Sequence, residues 1–213
     1  MTDPMLSSAA LLDTVDSSGI VRASAASPTP LEALAGRAAA GDDRAATELV
    51  RRLAPSASRI VHGLGATPAA REDLVQEALV ALIRALPRFE GRSGVESYLY
   101  GICVRLVRHQ RRGTARFLRA LERLVATPSD PVEAAPDPAE TDERARAVAR
   151  LLDRLPQKRR EVLVLYEMEG KSAAEIAGIL EIPEATVYTR LYHARRAFRR
   201  LAERAPELRE DVT

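Results

Sequence analysis

The sequence predicts an all-α protein of two small helical domains, an N-terminal helical bundle and a C-terminal helix-turn-helix, joined by a flexible Pro/acid linker. Three observations predict it. Ala, Leu, Arg and Glu dominate both halves, without β-branched runs or strand-like alternation. Apolar residues recur at helical spacing on both sides of the centre. Between those halves, residues 126–141 hold Pro128, Pro131, Pro136 and Pro138, a density that prevents helix and favours an extended spacer. The expected organisation is a mobile tail (1–30), a first domain (31–125), the linker (126–141), a second domain (142–205) and a short tail (206–213).

Charge sharpens this division. The 213 residues carry 32 Lys plus Arg against 30 Asp plus Glu, a net of only +2. The tail contributes −2. Residues 126–143, with Asp130, Glu133, Asp137, Glu140, Asp142 and Glu143 and no base, contribute −6, which leaves +10 on the rest. The folded parts are basic, so a near-neutral net does not argue against a polyanionic partner. The linker acids are expected to lie against the basic helices and screen them from nonspecific DNA. No apolar run approaches the roughly 20 residues needed to span a bilayer, and the N-terminus lacks a signal-peptide pattern. Cys103 stands alone, excluding an intramolecular disulfide and fitting a cytoplasmic protein.

In the first half, Leu74, Val75, Ala78, Leu79, Leu82, Ile83 and Leu86 mark a helix with one apolar face, starting after Pro68 and stopping at Pro87. A loop follows over 91–94. A second helix runs from about Val95 to Arg112, where Gly113 interrupts or ends it.

In the second half, Ser172 with Glu175 three residues later forms a capping box, and Ala173, Ile176, Ala177 and Leu180 make an apolar face. A break at Glu181–Ile182 follows, and Pro183 suits the first position of another helix. Val187, Leu191, Ala194, Phe198 and Leu201 advance by fours and threes and form its buried side. Opposite fall Ala185, Thr189, Tyr192, His193, Arg196 and Arg200, with Thr186 and Tyr188 flanking. Hydrogen-bonding residues come first and arginines later. That order suits a helix-turn-helix whose recognition helix reads base edges with its N-terminal part and meets phosphate with its later part. Few acids stand near to neutralise these arginines, which favours DNA over simple solvation of an amphipathic helix.

Together these residues resemble the extracytoplasmic-function (ECF) sigma factors of bacterial RNA polymerase. Asp73-Leu74-Val75-Gln76-Glu77, continuing to Leu86-Pro87-Arg88-Phe89, looks like that family's region 2. Leu155-Pro156, Arg160-Glu161-Val162, the capping-box helix and Thr186-Val187-Tyr188-Thr189-Arg190-Leu191 look like its region 4. The resemblance spans about residues 31–203. It implies a non-enzymatic factor that binds core RNA polymerase, through the β′ coiled coil and the β subunit, and directs initiation at promoter DNA. It implies region 2 opening the −10 element and region 4 reading the −35 element.

Carried onto this chain, the resemblance implies core-polymerase contact by Asp73, Gln76 and Glu77. It implies −10 DNA contact by Phe89, Arg92, Ser93, Tyr98, Arg105, Arg108 and Arg112. For the −35 element it implies Thr186, Tyr188, Thr189, Tyr192, His193, Arg196 and Arg200. Arg116 and Arg119 extend the stripe of Arg105, Arg108 and Arg112 if the helix survives Gly113. Tyr98 and Tyr100 are read equally as base-stacking rings or as packing between helices. The chain departs from the family at Val95, commonly Phe, at Tyr98, usually Trp, at Arg105, commonly Asn, and at Tyr188, a frequent Lys or Arg. Glu181 stands where many such turns have Gly, at a cost of about 1 kcal/mol if it adopts a left-handed conformation.

Nothing in the sequence supports catalysis, a metal or a cofactor. His62, His109 and His193 are scattered, and no glycine-rich phosphate loop occurs. Cys103 sits in an apolar helical stretch and reads as core, with a redox-sensing thiol the alternative. Partners implied are core polymerase, promoter DNA and an anti-sigma factor, without a stable homo-oligomer. Two other classes share these features: a helix-turn-helix transcriptional regulator, and a sigma-like module that sequesters an anti-sigma factor.

Overall fold

In the computed structural model the described residues, 30–124 and 143–205, are helical, and no strand occurs among them. In the first half, α1 (Pro30–Ala39), α2 (Asp43–Gly63), α3 (Pro68–Ala85) and α4 (Val95–Leu124) form a bundle. In the second, α5 (Glu143–Asp153) and α6 (Gln157–Leu163) lead through a wide π turn (Val164–Met168) to α7 (Ala173–Leu180) and α8 (Glu184–Ala202). The tails 1–29 and 206–213, and the whole of the expected linker (126–141) with its screening acids, lie outside the described residues.

Local chemistry sets the boundaries. Asp42 caps α2 by accepting from the Ala45 amide at 3.0 Å. Pro68 opens α3 where its missing N–H costs nothing, and the helix tightens into a 3-10 turn at Leu86–Arg88, around Pro87. One expectation is corrected: α4 runs straight through Gly113 to Leu124. A single glycine costs a helix only about 1 kcal/mol relative to alanine, less than the burial of Leu99, Cys103 and Val107 returns. Residues flanking Gly113 therefore continue the same spiral.

The core starts from helical stripes. Leu49, Leu53, Ala57 and Ile60 of α2 are fully buried against Leu74, Ala78, Leu79 and Leu82 of α3 and Val95, Leu99, Cys103 and Val107 of α4. In α8 the buried positions are Val187, Leu191, Ala194 and Ala197. Phe198 and Leu201, expected inside, pack against the core but stay half-buried near the end of the helix, and Ala197 is buried beside them. Cys103 is buried, and loss of hydration raises its thiol pKa to about 12, so it behaves as a core side chain.

The halves do not stand apart. Their buried residues form one continuous hydrophobic cluster, and a seam of polar contacts crosses it. Arg108 of α4 makes a two-pronged pair with Glu161 of α6, Nε and Nη2 each donating at 2.7 Å, and Glu161 is wholly buried. The Tyr100 hydroxyl donates to Glu169 at 2.6 Å, and Arg59 reaches the same carboxylate at 3.2 Å. In the opposite sense, Lys171 pairs with Glu96 at 2.8 Å and lies 5.3 Å from the Tyr100 ring centroid. Burial alone would push the Glu96 carboxyl up, but Lys171, with the Ser56 and Tyr100 hydroxyls, brings it below its ordinary value. Gly63 lets the elements close: a Cβ there would meet the Val164 side chain at 2.9 Å.

Candidate nucleic-acid interface

The second half builds a helix-turn-helix from local rules. Ser172 accepts from the Glu175 amide at 3.3 Å, and the Glu175 carboxylate accepts from the Ser172 amide at 2.9 Å, closing the capping box. Those hydrogen bonds hold the Glu175 carboxyl below its ordinary pKa. α7 ends at Glu181, which adopts φ 55° and ψ 50° and is the only non-glycine residue with positive φ among those described. Pro183 then caps α8 from just outside, one position earlier than the sequence suggested.

Glu181 pays for its left-handed conformation with little return. Its carboxylate lies 3.6 Å from Arg105, and both side chains are mostly exposed, so that ion pair contributes little. Glu181→Gly is therefore expected to stabilise the protein by about 1 kcal/mol, read as a higher urea midpoint with an unchanged slope. A lower midpoint would mean that Glu181 has partners this turn does not reveal.

Beyond the turn, α8 presents its outward face to solvent. Tyr188, Thr189, Tyr192, His193, Arg196 and Arg200 are exposed and Thr186 is half-buried. They share the face that the sequence marked. Some are already occupied. The Thr189 hydroxyl donates to the Ala185 carbonyl at 2.9 Å, and the Tyr188 hydroxyl donates to Glu184 at 3.2 Å, which raises the Tyr188 pKa. The Tyr192 and His193 rings meet edge to face at 5.3 Å. Arg195 belongs to the fold rather than to this face: its Nε donates to Glu167 at 2.7 Å and its guanidinium lies 4.9 Å from the Tyr166 ring centroid.

In the first half, the residues expected at the −10 element separate into two groups. Phe89 and Tyr98 are half-buried and packed on each other, ring centroids 5.1 Å apart at 50°. Arg92 and Ser93 are exposed in the loop before α4, with Arg92 paired to its neighbour Glu90. On α4, Arg105 and Arg112 are exposed and Arg108 is turned into the seam against Glu161. Tyr100 is buried, so of the two readings offered for it, packing between helices holds. Arg116 continues the exposed stripe, and the Arg119 side chain lies outside those described.

On α3, Asp73, Gln76 and Glu77 are exposed, away from Leu74, Ala78, Leu79 and Leu82. Gln76 donates to Glu72 at 3.5 Å. Val80, 48% exposed, completes the stripe at 73, 76, 77 and 80. Sequence reasoning missed Val80 because it hides among apolar neighbours, although its spacing of seven from Asp73 would have placed it outside. No cluster of His, Cys, Asp and Glu able to hold a metal occurs among the described residues, nor any helix long and apolar enough to cross a membrane.

Comparison with known proteins agrees with this geometry. The Sigma-70 region 2 family matches residues 49–129, and Sigma-70, region 4 matches 145–198. The ECF RNA polymerase sigma-E factor of Escherichia coli (strain K12) is 32% identical over 133 residues, covering 59% of this chain and 70% of that protein. The ECF RNA polymerase sigma factor SigM of Mycobacterium tuberculosis is 32% identical over 165 residues, 76% of this chain and 79% of that one. Among solved structures, CnrH in complex with the cytosolic domain of CnrY superposes with a TM-score of 0.60 at 26% identity, covering 80% of this chain and 96% of that one. The sigma factor RpoE from Bartonella quintana, in complex with the anti-sigma factor NepR, shares the fold with a TM-score of 0.62 at 20% identity, covering 74% and 96%. With both regions matched in order, and a capped helix-turn-helix presenting an exposed arginine-bearing face, the chain belongs to the ECF sigma factors, the promoter-recognising initiation factors of RNA polymerase.

Proposed function

We propose that this sigma factor divides its work between units at 31–125 and 142–205, in the cytoplasm, as a factor without catalytic activity of its own. The outward face of α8 carries the reading: it is exposed, arginine-bearing and mounted on a capped helix-turn-helix. Thr186, Tyr188, Thr189, Tyr192 and His193 read the −35 element in the major groove, and Arg196 and Arg200 hold its phosphates. The loop residues Phe89, Arg92 and Ser93, with Tyr98, Arg105, Arg108 and Arg112, take the −10 strand, rings offering stacking surfaces and guanidiniums following the backbone. Asp73, Gln76 and Glu77, with Val80 beside them, dock on the β′ coiled coil of the polymerase, and region 4 meets the β subunit. An anti-sigma factor is a further partner, supported by the relative CnrH, whose structure holds the cytosolic domain of CnrY.

The test is reconstitution. Purified chain plus core polymerase is expected to initiate at promoters that core alone ignores, and silence on every genomic template would overturn the proposal. Asp73→Arg reverses a charge on an exposed docking face and is expected to lower polymerase affinity about tenfold, equivalent to about 1.4 kcal/mol. Unchanged affinity, with unchanged thermal stability, would move the docking face elsewhere.

A further inference from the structure

We propose that the outward face of α8 reads methyl groups: the −35 element this chain selects is built around thymines, recognised through their C5-methyls rather than through hydrogen bonds to guanine. This deepens the proposed function and rests on its placing of α8 in the major groove.

The hydroxyl protons of this face are already given away. The Thr189 hydroxyl is turned back onto its own helix, donating to the Ala185 carbonyl at 2.9 Å, so its methyl is the group that side chain has left to present. The Tyr188 hydroxyl donates to Glu184 at 3.2 Å. The Tyr192 ring is 62% exposed and offers its carbon framework, with the His193 ring edge to face against it at 5.3 Å. Ala185, exposed one turn before Thr189, adds a methyl of its own. Ala185, Thr189 and Tyr192 fall within about 60° of one another around an ideal helix, so they form one apolar strip at the centre of the face.

The usual reader of guanine is missing from that strip. Arg or Lys donates to guanine O6 and N7, whereas thymine carries a methyl into the major groove and meets alanine, a threonine methyl or an aromatic ring. Here Arg190 is half-buried on the flank beside Val187 and Ala194. Arg196 and Arg200 come two and three turns after Thr189, where the helix passes from base edges to phosphate. Thr186 and His193, the residues still able to hydrogen-bond a base, stand on one edge of the strip. Along the axis Thr189 is about 6 Å from Ala185 and about 4.5 Å from Tyr192, at about 1.5 Å per residue, against about 3.4 Å per base pair. Successive contacts therefore fall about one to two base pairs apart, and the expected element holds at least two thymines within about four base pairs, on either strand. Burying one methyl group is worth about fourfold in affinity.

The experiment removes the methyl and nothing else. A duplex that the full chain with core polymerase recovers from a randomised pool, and core alone does not, is rebuilt with deoxyuridine in place of each −35 thymine in turn. Every hydrogen-bonding group of the base is kept. Affinity is expected to fall about fourfold at two positions or more. At those positions 5-methylcytosine, which returns the methyl on another base, should bind about fourfold tighter than cytosine. Thr189→Ser keeps the hydroxyl and loses the methyl, so it should erase the difference between thymine and uracil at one position. Thr189→Val keeps a methyl and loses the hydroxyl, so it should retain that difference. If either variant melts lower than the parent, the uridine and methylcytosine series on the parent chain decides. Recovered elements without thymine, equal binding of thymine and uracil throughout, or a difference that survives in Thr189→Ser and vanishes in Thr189→Val each overturn methyl reading and leave the −35 assignment standing. Recovery of no −35 duplex at all overturns the placing of α8 itself, and methyl reading with it.

Discussion

Replacing Arg160 with alanine is expected to cost about 3–5 kcal/mol of stability. Arg160 has no exposed surface. Its Nε donates to the Leu152 carbonyl at 2.6 Å, Nη2 to the Leu155 carbonyl at 3.4 Å and Nη1 to the Leu64 carbonyl at 3.2 Å, with Asp153 at 2.8 Å from Nη1. One planar fork therefore closes the turn between α5 and α6 and ties it to the end of α2. Burial, and then the like charge of Arg111, pull its pKa down to about 10, still well above neutrality, so the group enters the fold charged.

Truncation takes the guanidinium donor from the Leu64 and Leu155 carbonyls and leaves the Leu152 carbonyl with the Leu155 amide at 3.1 Å. Each unpaired buried carbonyl costs about 1–3 kcal/mol, and a void remains where the side chain stood. For a chain of this size each kcal/mol corresponds to about 2–4 °C in melting temperature, so Arg160→Ala should melt about 10 °C lower. Arg160→Lys keeps the charge but cannot reach three carbonyls in one plane, and it should recover less than half of the loss. Arg160→Ala within about 1 kcal/mol of the parent, by urea titration, would mean water replaces the guanidinium.

What the sequence made legible follows from how far each contact reaches along the chain. The capping box at Ser172 and Glu175, the left-handed Glu181 and the buried stripe through Val187, Leu191 and Ala194 all depend on residues within one or two turns, and each was readable in advance. The exposed stripe at Asp73, Gln76 and Glu77 was readable for the same reason. Gly113 was misread because local propensity overstated its power to stop a helix. Pro55 makes the same point inside α2, which continues on both sides of it. Phe198 faces the core as its spacing implied but is only half-buried, because spacing gives the direction of a side chain and not how much protein covers it. The seam was beyond reach: Arg108 and Glu161 are 53 residues apart, Tyr100 and Glu169 are 69 apart, and no periodicity links them. Arg160, read only as part of a family motif, gave no sign that its side chain would be wholly buried.

On α8, two substitutions on the same outward face should fail in different ways. Tyr192 is 62% exposed near the middle of the helix and Arg200 lies two turns later, on the same outward side. If the earlier residue meets base edges, Tyr192→Ala should cost about 1–3 kcal/mol, about 5- to 150-fold, at one position of the −35 element. Variants of that element at the other positions should keep their ranking. Arg200→Ala should instead weaken every duplex alike and flatten the dependence of log affinity on log salt by about 0.9, the share of one neutralised phosphate. Arg195 provides the internal contrast. Its pairing with Glu167 and stacking on Tyr166 commit it to the fold, so Arg195→Ala should leave the salt slope unchanged while lowering the melting temperature slightly. Filter binding against a panel of −35 variants at four salt concentrations separates these outcomes. A uniform loss for Tyr192→Ala with a shallower slope would make it a phosphate contact, and the assignment of base reading would pass to Tyr188, whose hydroxyl must then leave Glu184.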